Sequence, residues 1–336
     1  MIYGKITLED WRTACVEGEE PESSFESYNL RLFFFGTLYN RDTLQATPDD
    51  TNAKLAADAF LSDPAYGFSR LDGSFTIVYY SENECGVVRD HHGTHYPVYC
   101  HIDGNFATSW QFLEDQLEEN FEPNLVSLST FLQRGILKKN NFALFDVHSL
   151  GAGEKFYMLT ELGYLMPVWA SVKLETQANV HSMFDSLKER NPGLYEKVAD
   201  DIYCLKRDSV FEHEPKVATE RNPDVEAYSR RYGELHAQAI RRRIGHSRRV
   251  GILLSGGYDS GSNLAALRSI YDGQIDSYSV GFKGDAWTEL PMARLMSETF
   301  GTRHHEYEID GTETSALPDI VRFLGEPFME GGLMVN

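Results

Sequence analysis

Cysteine is scarce and unpatterned in this chain. The four, Cys15, Cys85, Cys100 and Cys204, include no CxxC pair, which argues against a disulfide framework or a zinc cluster and for reduced thiols. No segment reaches the roughly 18 apolar residues that would span a bilayer, and Met1-Ile2-Tyr3-Gly4-Lys5 has no basic stretch followed by an apolar one. Together these absences predict a cytoplasmic protein. Positive charge is also short: 31 Lys plus Arg face 51 Asp plus Glu, a net charge of -20. Such a field repels polyanions, so neither nucleic acid nor membrane is expected as a partner. An anionic nucleotide would have to be held by local backbone amides, a divalent cation or a few basic side chains.

What is present is enough for two cores. A chain of 336 residues exceeds one typical domain, and 12% aromatic content supports folded structure throughout. From residue 30 to about 170 the pattern is strand-like. Leu30 to Leu38, Ser74 to Tyr80, Gly86 to Arg89, Pro97 to His101 and Lys155 to Leu159 are aromatic or β-branched runs broken by turn residues. Helical windows fall at Lys54 to Leu61, Trp110 to Leu117 and Leu125 to Gln133, giving an α+β arrangement of sheets with helices. Residues 171–222 are polar, show no clear strand and read as a connecting region. Asp224 to Ile244 then carries Val225, Tyr228, Tyr232, Leu235, Ala239 and Ile240 at helical spacing and ends in Arg241-Arg242-Arg243. Those arginines suit a helix C-terminus with a solvated face, or alternatively a role near phosphate or an acidic partner.

After this helix, strands and helices alternate. Strands are predicted at Val250 to Leu254, Ile275 to Val280 and His304 to Ile309, with helices at Asn263 to Ile270, Glu289 to Phe300 and Thr314 to Leu324, the order of an α/β parallel sheet. Ligands bind such sheets at the carboxyl ends of the strands. At the end of the first strand stands Ser255-Gly256-Gly257-Tyr258-Asp259-Ser260. Two glycines let backbone N–H groups approach a polyphosphate, and a following helix offers its free amides and positive dipole end to the same anion. Ser255 and Ser260 add hydroxyl donors. Asp259 would repel phosphate directly, and its carboxylate makes sense beside Mg²⁺. No Lys follows the second glycine, so this is not a Walker loop.

These residues resemble the asparagine synthetase family, which includes β-lactam synthetases and lasso-peptide cyclases. SGGYDS is similar to the family's SGGxDS pyrophosphatase loop, and Ser277 to Phe282 with Gly301-Thr302-Arg303-His304-His305-Glu306 resembles its SxxVG and LGTxHHE segments. In the first half, Leu38 to Arg41, Leu71 to Phe75, Arg89 to Gly93 and Leu150 to Glu154 resemble its glutaminase-type domain. The resemblance implies an Ntn-hydrolase-like sandwich over residues 1–170, a connecting region over 171–222, and an ATP pyrophosphatase domain over 223–336. It also implies carboxylate adenylation with release of pyrophosphate, then attack by an amine to form an amide. ATP and Mg²⁺ are the implied cofactors. Ser255, Gly256, Gly257, Asp259 and Ser260 would cradle pyrophosphate, Asp259 would serve the metal, and Leu253 and Val280 would flank adenine. The implied partners are carboxylate and amine substrates, small molecules or peptides, with a homodimer or a complementing chain as alternatives.

The chain departs from the family in its first half. Members that hydrolyse glutamine expose Cys as the first residue of the mature chain, whereas Ile2 follows Met1 and no Cys lies within the first ten residues. Where the family's NGEIYN supplies an oxyanion-hole Asn and a glutamine-binding Glu, this chain has Phe35-Gly36-Thr37-Leu38-Tyr39-Asn40. Phe35 cannot donate to an oxyanion, nor Thr37 pair with an ammonium. Glutaminase activity is therefore expected to be absent. The family's EPF segment is matched by Glu326-Pro327-Phe328, and its acidic glycine-rich second phosphate loop and catalytic lysine are not found in the sequence, which reads as C-terminally incomplete. Three readings follow: a synthetase working without glutamine hydrolysis, a non-catalytic nucleotide-binding or regulatory homologue, and a glutamine-hydrolysing asparagine synthase.

Several single residues admit plainer roles. His91, His92 and His95 lack the ligand spacing of a metal site. His304 and His305 start a strand with rings on opposite faces, which suits sheet-edge packing. Cys15, in the helical-looking Leu8 to Val16, reads as a small core residue. Glu326 and Glu330 read equally as groups that position an amine or metal and as parts of a charged loop.

Overall fold

Alternation along residues Leu30–Leu38 explains the first half of the molecule. Leu30, Leu32 and Phe34 pack in one buried cluster, while Phe35 and the partly buried Phe33 pack in another, so this strand has hydrophobic core on both faces. The computed structural model describes residues 1–7, 11–64, 67–101, 104–117, 122–134, 147–159, 205–209, 224–245, 247–284 and 288–324. Two compact units result, one taking in Met1–Glu214 and the other Pro215–Ile320.

In the first unit the strands are β1 (Ile2–Lys5), β2 (Glu17–Gly18), β3 (Ser23–Glu26), β4 (Leu30–Leu38), β5 (Gly73–Ser81), β6 (Glu84–Arg89), β7 (Tyr99–His101), β8 (Asn105–Ala107), β9 (Val147–Ser149), β10 (Glu154–Leu159) and β11 (Leu205–Ser209). They form two sheets, in the orders β2-β1-β8-β7-β9 and β11-β10-β6-β5-β4-β3, and every pairing in both is antiparallel. Ile2, Ile6, Cys100 and Phe106 of the smaller sheet and its edges meet Phe35, Val78, Tyr80, Val87 and Phe156 of the larger one. Helix α1 (Asn52–Ser62) covers the outer face of the larger sheet through Ala53, Ala56, Leu55 and Phe60. Helix α2 (Trp110–Leu117) sits with Leu113 against Tyr99 and Ala107 on the outer face of the smaller. A third helix, α3, spans Leu125–Arg134. The aromatic core carries the stability: truncating a side chain as buried as Phe34 costs about 3–5 kcal/mol, against about 0–1 for an exposed ion pair.

The α+β expectation for this half is met, with two local corrections. Leu205–Ser209, inside the stretch that showed no clear strand, pairs antiparallel with Glu154–Leu159, because its partner's free edge supplies the hydrogen bonds that its own polar sequence cannot advertise. The rest of the expected connecting region lies outside the described residues. Cys15 is exposed, not core. Trp11–Thr13 is a turn rather than helix, held where the Arg31 guanidinium donates to the carbonyls of Arg12 and Ala14 at 2.7 and 2.5 Å.

The second unit is α/β. Helix α4 (Val225–Ile244), strand β12 (Val250–Leu253), helix α5 (Tyr258–Ile270), strand β13 (Ile275–Phe282), helix α6 (Leu290–Phe300) and strand β14 (Arg303–Ile309) follow in order, and the chain continues into helix α7 (Leu317–Leu324), which begins in this unit. β12 and β14 flank β13, both parallel to it. One sheet face is buried with Leu264, Leu267 and Ala293 of the helices, and Ile240 and Ile244 of α4 pack at its border. On the other face Leu253, Tyr278, Val280, Phe282 and Tyr307 are exposed. None of α4's residues is fully buried. The apolar spacing predicted over 224–244 is real, yet Val225, Tyr228, Tyr232 and Leu235 face away from the core. Among the described residues no helix is long and apolar enough to cross a membrane.

Candidate functional site

The loop Ser255–Ser260 leaves the carboxyl end of β12. Beneath it, Leu254 N donates to the Tyr278 carbonyl at 2.8 Å, and the buried Ser279 hydroxyl donates to the Leu254 carbonyl. The base of the loop is thus stitched to the neighbouring strand before the turn begins. Gly256 has φ +93, and a Cβ there would stand 2.7 Å from the Glu289 carbonyl oxygen and 3.1 Å from Ala293 N. Both facts demand glycine: the backbone is in a region that L side chains avoid, and α6 closes the space.

The helix begins earlier than its apolar spacing announced. Gly257 is the N-cap in extended conformation, with no side-chain cap, and α5 starts at Tyr258 instead of Asn263. Asp259 and Ser260 therefore lie in the first turn, where N–H groups have no intrahelical partner. A carboxylate at this end is favourable to the dipole by about 0.3–1 kcal/mol, so position alone gives Asp259 a stabilising role.

Two hydroxyls lock the turn. Ser260 Oγ accepts from Ser255 N at 3.1 Å and lies 3.0 Å from Ser255 Oγ, which in turn accepts from Gly257 N at 3.2 Å. Five of the expected site residues, Ser255, Gly256, Gly257, Asp259 and Ser260, are thus brought into a single turn. Leu253 and Val280 lie on adjacent strands. Leu253 pairs in register with Tyr278, and Val280 stands two residues further along β13, so both occupy the exposed face at its carboxyl end.

Glu289, which sequence reasoning did not single out, closes the loop from the other side. Its carbonyl underlies Gly256, and its Oε1 comes 3.9 Å from a Cβ built on Gly257. The signal was its place directly ahead of Leu290-Pro291, with Pro at the start of α6. Away from the loop, the sheet is tied by polar contacts. Arg294 makes two hydrogen bonds to Glu306, at 2.7 and 2.6 Å, which hold that carboxyl below its usual range. Ser277 Oγ bridges Thr302 and His304 Nδ1 at 2.6 and 2.8 Å. His305 stacks on Tyr278 with ring centroids 4.8 Å apart and reaches Asp276 at 3.1 Å. The two histidines thus have different partners and serve packing, as their alternation suggested.

In the first unit the family-like segments have structural duties. Asn40 donates to the Arg70 carbonyl at 2.8 Å and accepts from Asp72 N at 2.9 Å. The buried Asp90 accepts from the backbone N–H of His92, Thr94 and His95. His95 Nδ1 lies 2.9 Å from Thr76 Oγ1, and burial lowers the pKa of its imidazole. Phe35 is buried in the core between the sheets, and Thr37 is exposed. Among the described residues no group of three or more His, Cys, Asp or Glu could hold a metal. Glu326 and Glu330 lie outside the described residues.

Residues 231–334 match the family model for asparagine synthase. Proteins of Mycobacterium tuberculosis and Mycobacterium bovis, provisionally named asparagine synthetase (glutamine-hydrolyzing), are 34% identical over 86 residues, which is 25% of this chain and 13% of theirs. A similarly named protein of Methanocaldococcus jannaschii is 32% identical over 81 residues, 24% of this chain and 16% of its own. The matched segment is thus a small part of those relatives. Among solved structures, the allosteric regulatory enzyme of purine biosynthesis aligns over 93% of this chain and 72% of its own at 11% identity, with a TM-score of 0.32. The Bacillus subtilis glutamine phosphoribosylpyrophosphate amidotransferase, complexed with ADP and GMP, aligns over 93% and 77% at 13% identity, with a TM-score of 0.31. Structural likeness at that level carries no argument. The sequence matches do: residues 231–334 are similar to the asparagine synthase family.

Proposed function

We propose that this chain is part of an ATP-dependent amide-forming synthetase that works without hydrolysing glutamine. The observation that carries the reading is the loop after β12: a glycine at φ +93 pressed against α6, with the first-turn amides of α5 following. A glycine turn held that tightly, followed by first-turn amides with no intrahelical partner, suits the backbone recognition of a polyphosphate tail. Gly256 and Gly257 would bring backbone N–H groups to the phosphates, and Ser255 and Ser260 would turn their hydroxyls from each other to the ligand. Asp259 would hold Mg²⁺ directly or through water, and Leu253 and Val280 would flank the base. Mg²⁺, when bound, neutralises phosphate charge and makes pyrophosphate a better leaving group.

In the reaction so proposed, a substrate carboxylate oxygen forms a bond to the α-phosphorus of ATP as pyrophosphate leaves. The acyl-adenylate is then attacked by an amine, which gives an amide and AMP. The acyl donor and acceptor belong to surfaces that these residues do not define. Support for the loss of glutamine hydrolysis comes from Phe35, buried where an oxyanion donor is needed, and from Thr37 in place of an acid.

Incubation with ATP, Mg²⁺ and candidate carboxylates should release pyrophosphate and AMP. Release of ADP and phosphate alone would refute adenylation, and nucleotide binding with no turnover would favour the regulatory reading. Glutamate production from glutamine would refute the claim about the first unit.

A further inference from the structure

Helix α4 carries an exposed seam that the phosphate loop does not use. Val225, Tyr228, Tyr232 and Leu235 are 68, 52, 65 and 46% exposed, and their spacing of three, four and three is that of a coiled-coil stripe. The core takes a different face. Ile240 and Ile244 pack on the buried cluster, and His236 meets Asn263 of α5 at 2.7 Å. At 100° per residue, the seam's mean direction lies about a third of a turn from that face. A solvated helix face does not explain two tyrosines and two aliphatic residues in a continuous row.

Charge decides what kind of partner fits. The positions bordering the seam include Arg231, which pairs with Glu234 of the same helix at 3.2 Å, and His236, and Arg243 borders its C-terminal end. No Asp or Glu occurs from Leu235 to Tyr258, although the chain as a whole carries 51 of them. Arg248 and Arg249 extend the basic run beyond the helix end, where the helix dipole cannot account for them. Neither can the nucleotide. These two arginines precede β12, and the loop follows it, so about 20 Å of extended chain separates Arg249 from Ser255. A second copy fits poorly. Antiparallel self-pairing sets Arg231 near its own copy, and parallel pairing sets the arginine ends together.

We propose that α4 is a docking seam for an acidic amphipathic helix of a partner protein, with apolar side chains meeting Tyr232 and Leu235 and carboxylates meeting the flanking arginines. The inference stands independently of the synthetase reading. One seam on a helix about 30 Å long is a small interface, so the contact is weak and weakened further by salt.

The test uses the full chain and two labelled synthetic peptides of three heptads, each with Leu at the two core positions, one with Glu and one with Lys at the flanking positions. Fluorescence anisotropy should show the Glu peptide binding at least about tenfold more tightly, with the gap closing in high salt. Tyr232→Ala with Leu235→Ala, both exposed positions, should cost at least about tenfold in Glu-peptide affinity with unchanged circular dichroism. Arg231→Glu with Arg243→Glu should reverse the peptide preference. Equal binding of the two peptides, or variants that bind as the parent does, would overturn the proposal. So would tighter binding of a single-stranded oligonucleotide than of the Glu peptide, or a dimer in sedimentation that the Tyr232 and Leu235 substitutions abolish.

Discussion

The Cα of Gly256 faces the carbonyl of Glu289 with room for a hydrogen and nothing larger. The contact joins the turn after β12 to the start of α6, so the loop's shape depends on an element that begins more than thirty residues later. Gly256→Ala is expected to destabilise the second unit by about 2–3 kcal/mol, from left-handed strain plus the clash. Nucleotide binding should be lost with it. Thermal unfolding and ATP titration check both, and an unchanged melting temperature would contradict the geometry.

Asp259 separates metal binding from stability. Asp259→Asn removes a favourable charge from the first turn of α5, worth at most about 1 kcal/mol. Its effect on Mg²⁺-dependent nucleotide affinity should be larger, about tenfold or more. Equal losses of stability and affinity would assign Asp259 a purely structural role.

His95 gives the first unit a pH response of known sign. Burial lowers its pKa from the usual 6.5, so the folded state resists the proton that the unfolded chain accepts. Stability should be fullest above 6.5 and should decline as pH falls from there through the lowered folded value. Urea midpoints at pH 7.5 and 5.5 should differ less in His95→Gln than in the parent. An identical difference in the two proteins would place the acid sensitivity elsewhere.

Thiol reactivity should follow exposure. Cys15 is exposed, Cys85 and Cys100 are buried, and burial pushes the Cys85 thiol up to about 12. In a Cys204→Ser background, a thiol reagent at neutral pH should label one site quickly, and Cys15→Ser should remove that phase. Fast labelling that persists would mean that the core around Cys85 or Cys100 opens readily.

Much of the architecture was legible in residue order because long strands and helices declare their period. Leu30–Leu38 and Trp110–Leu117 stand where alternation and helical spacing put them. Strands of three or four residues, such as Ile2–Lys5, Asn105–Ala107 and Val147–Ser149, are too short to show alternation and are recognised only through their partners. The start of α5 was hidden because Gly257 caps it and Asp259, Ser260 and Gly261 are weak helix formers. Leu253 and Val280, expected to flank a base, stand near the carboxyl ends of neighbouring strands. Glu289 escaped because its closeness to the loop is a product of the crossover, not of sequence spacing. For α4 the spacing was legible and the face that meets the core was not, since periodicity reports that a stripe exists and says nothing of what covers it.

The pairing of Leu205–Ser209 with Glu154–Leu159 sets a practical limit on dissecting the molecule. A fragment cut at residue 170 would leave β10 as a bare edge, its backbone donors and acceptors turned to water and open to adhesion by other chains. Any soluble version of the first unit has to run past Ser209, and one that stops short should be recovered as aggregate.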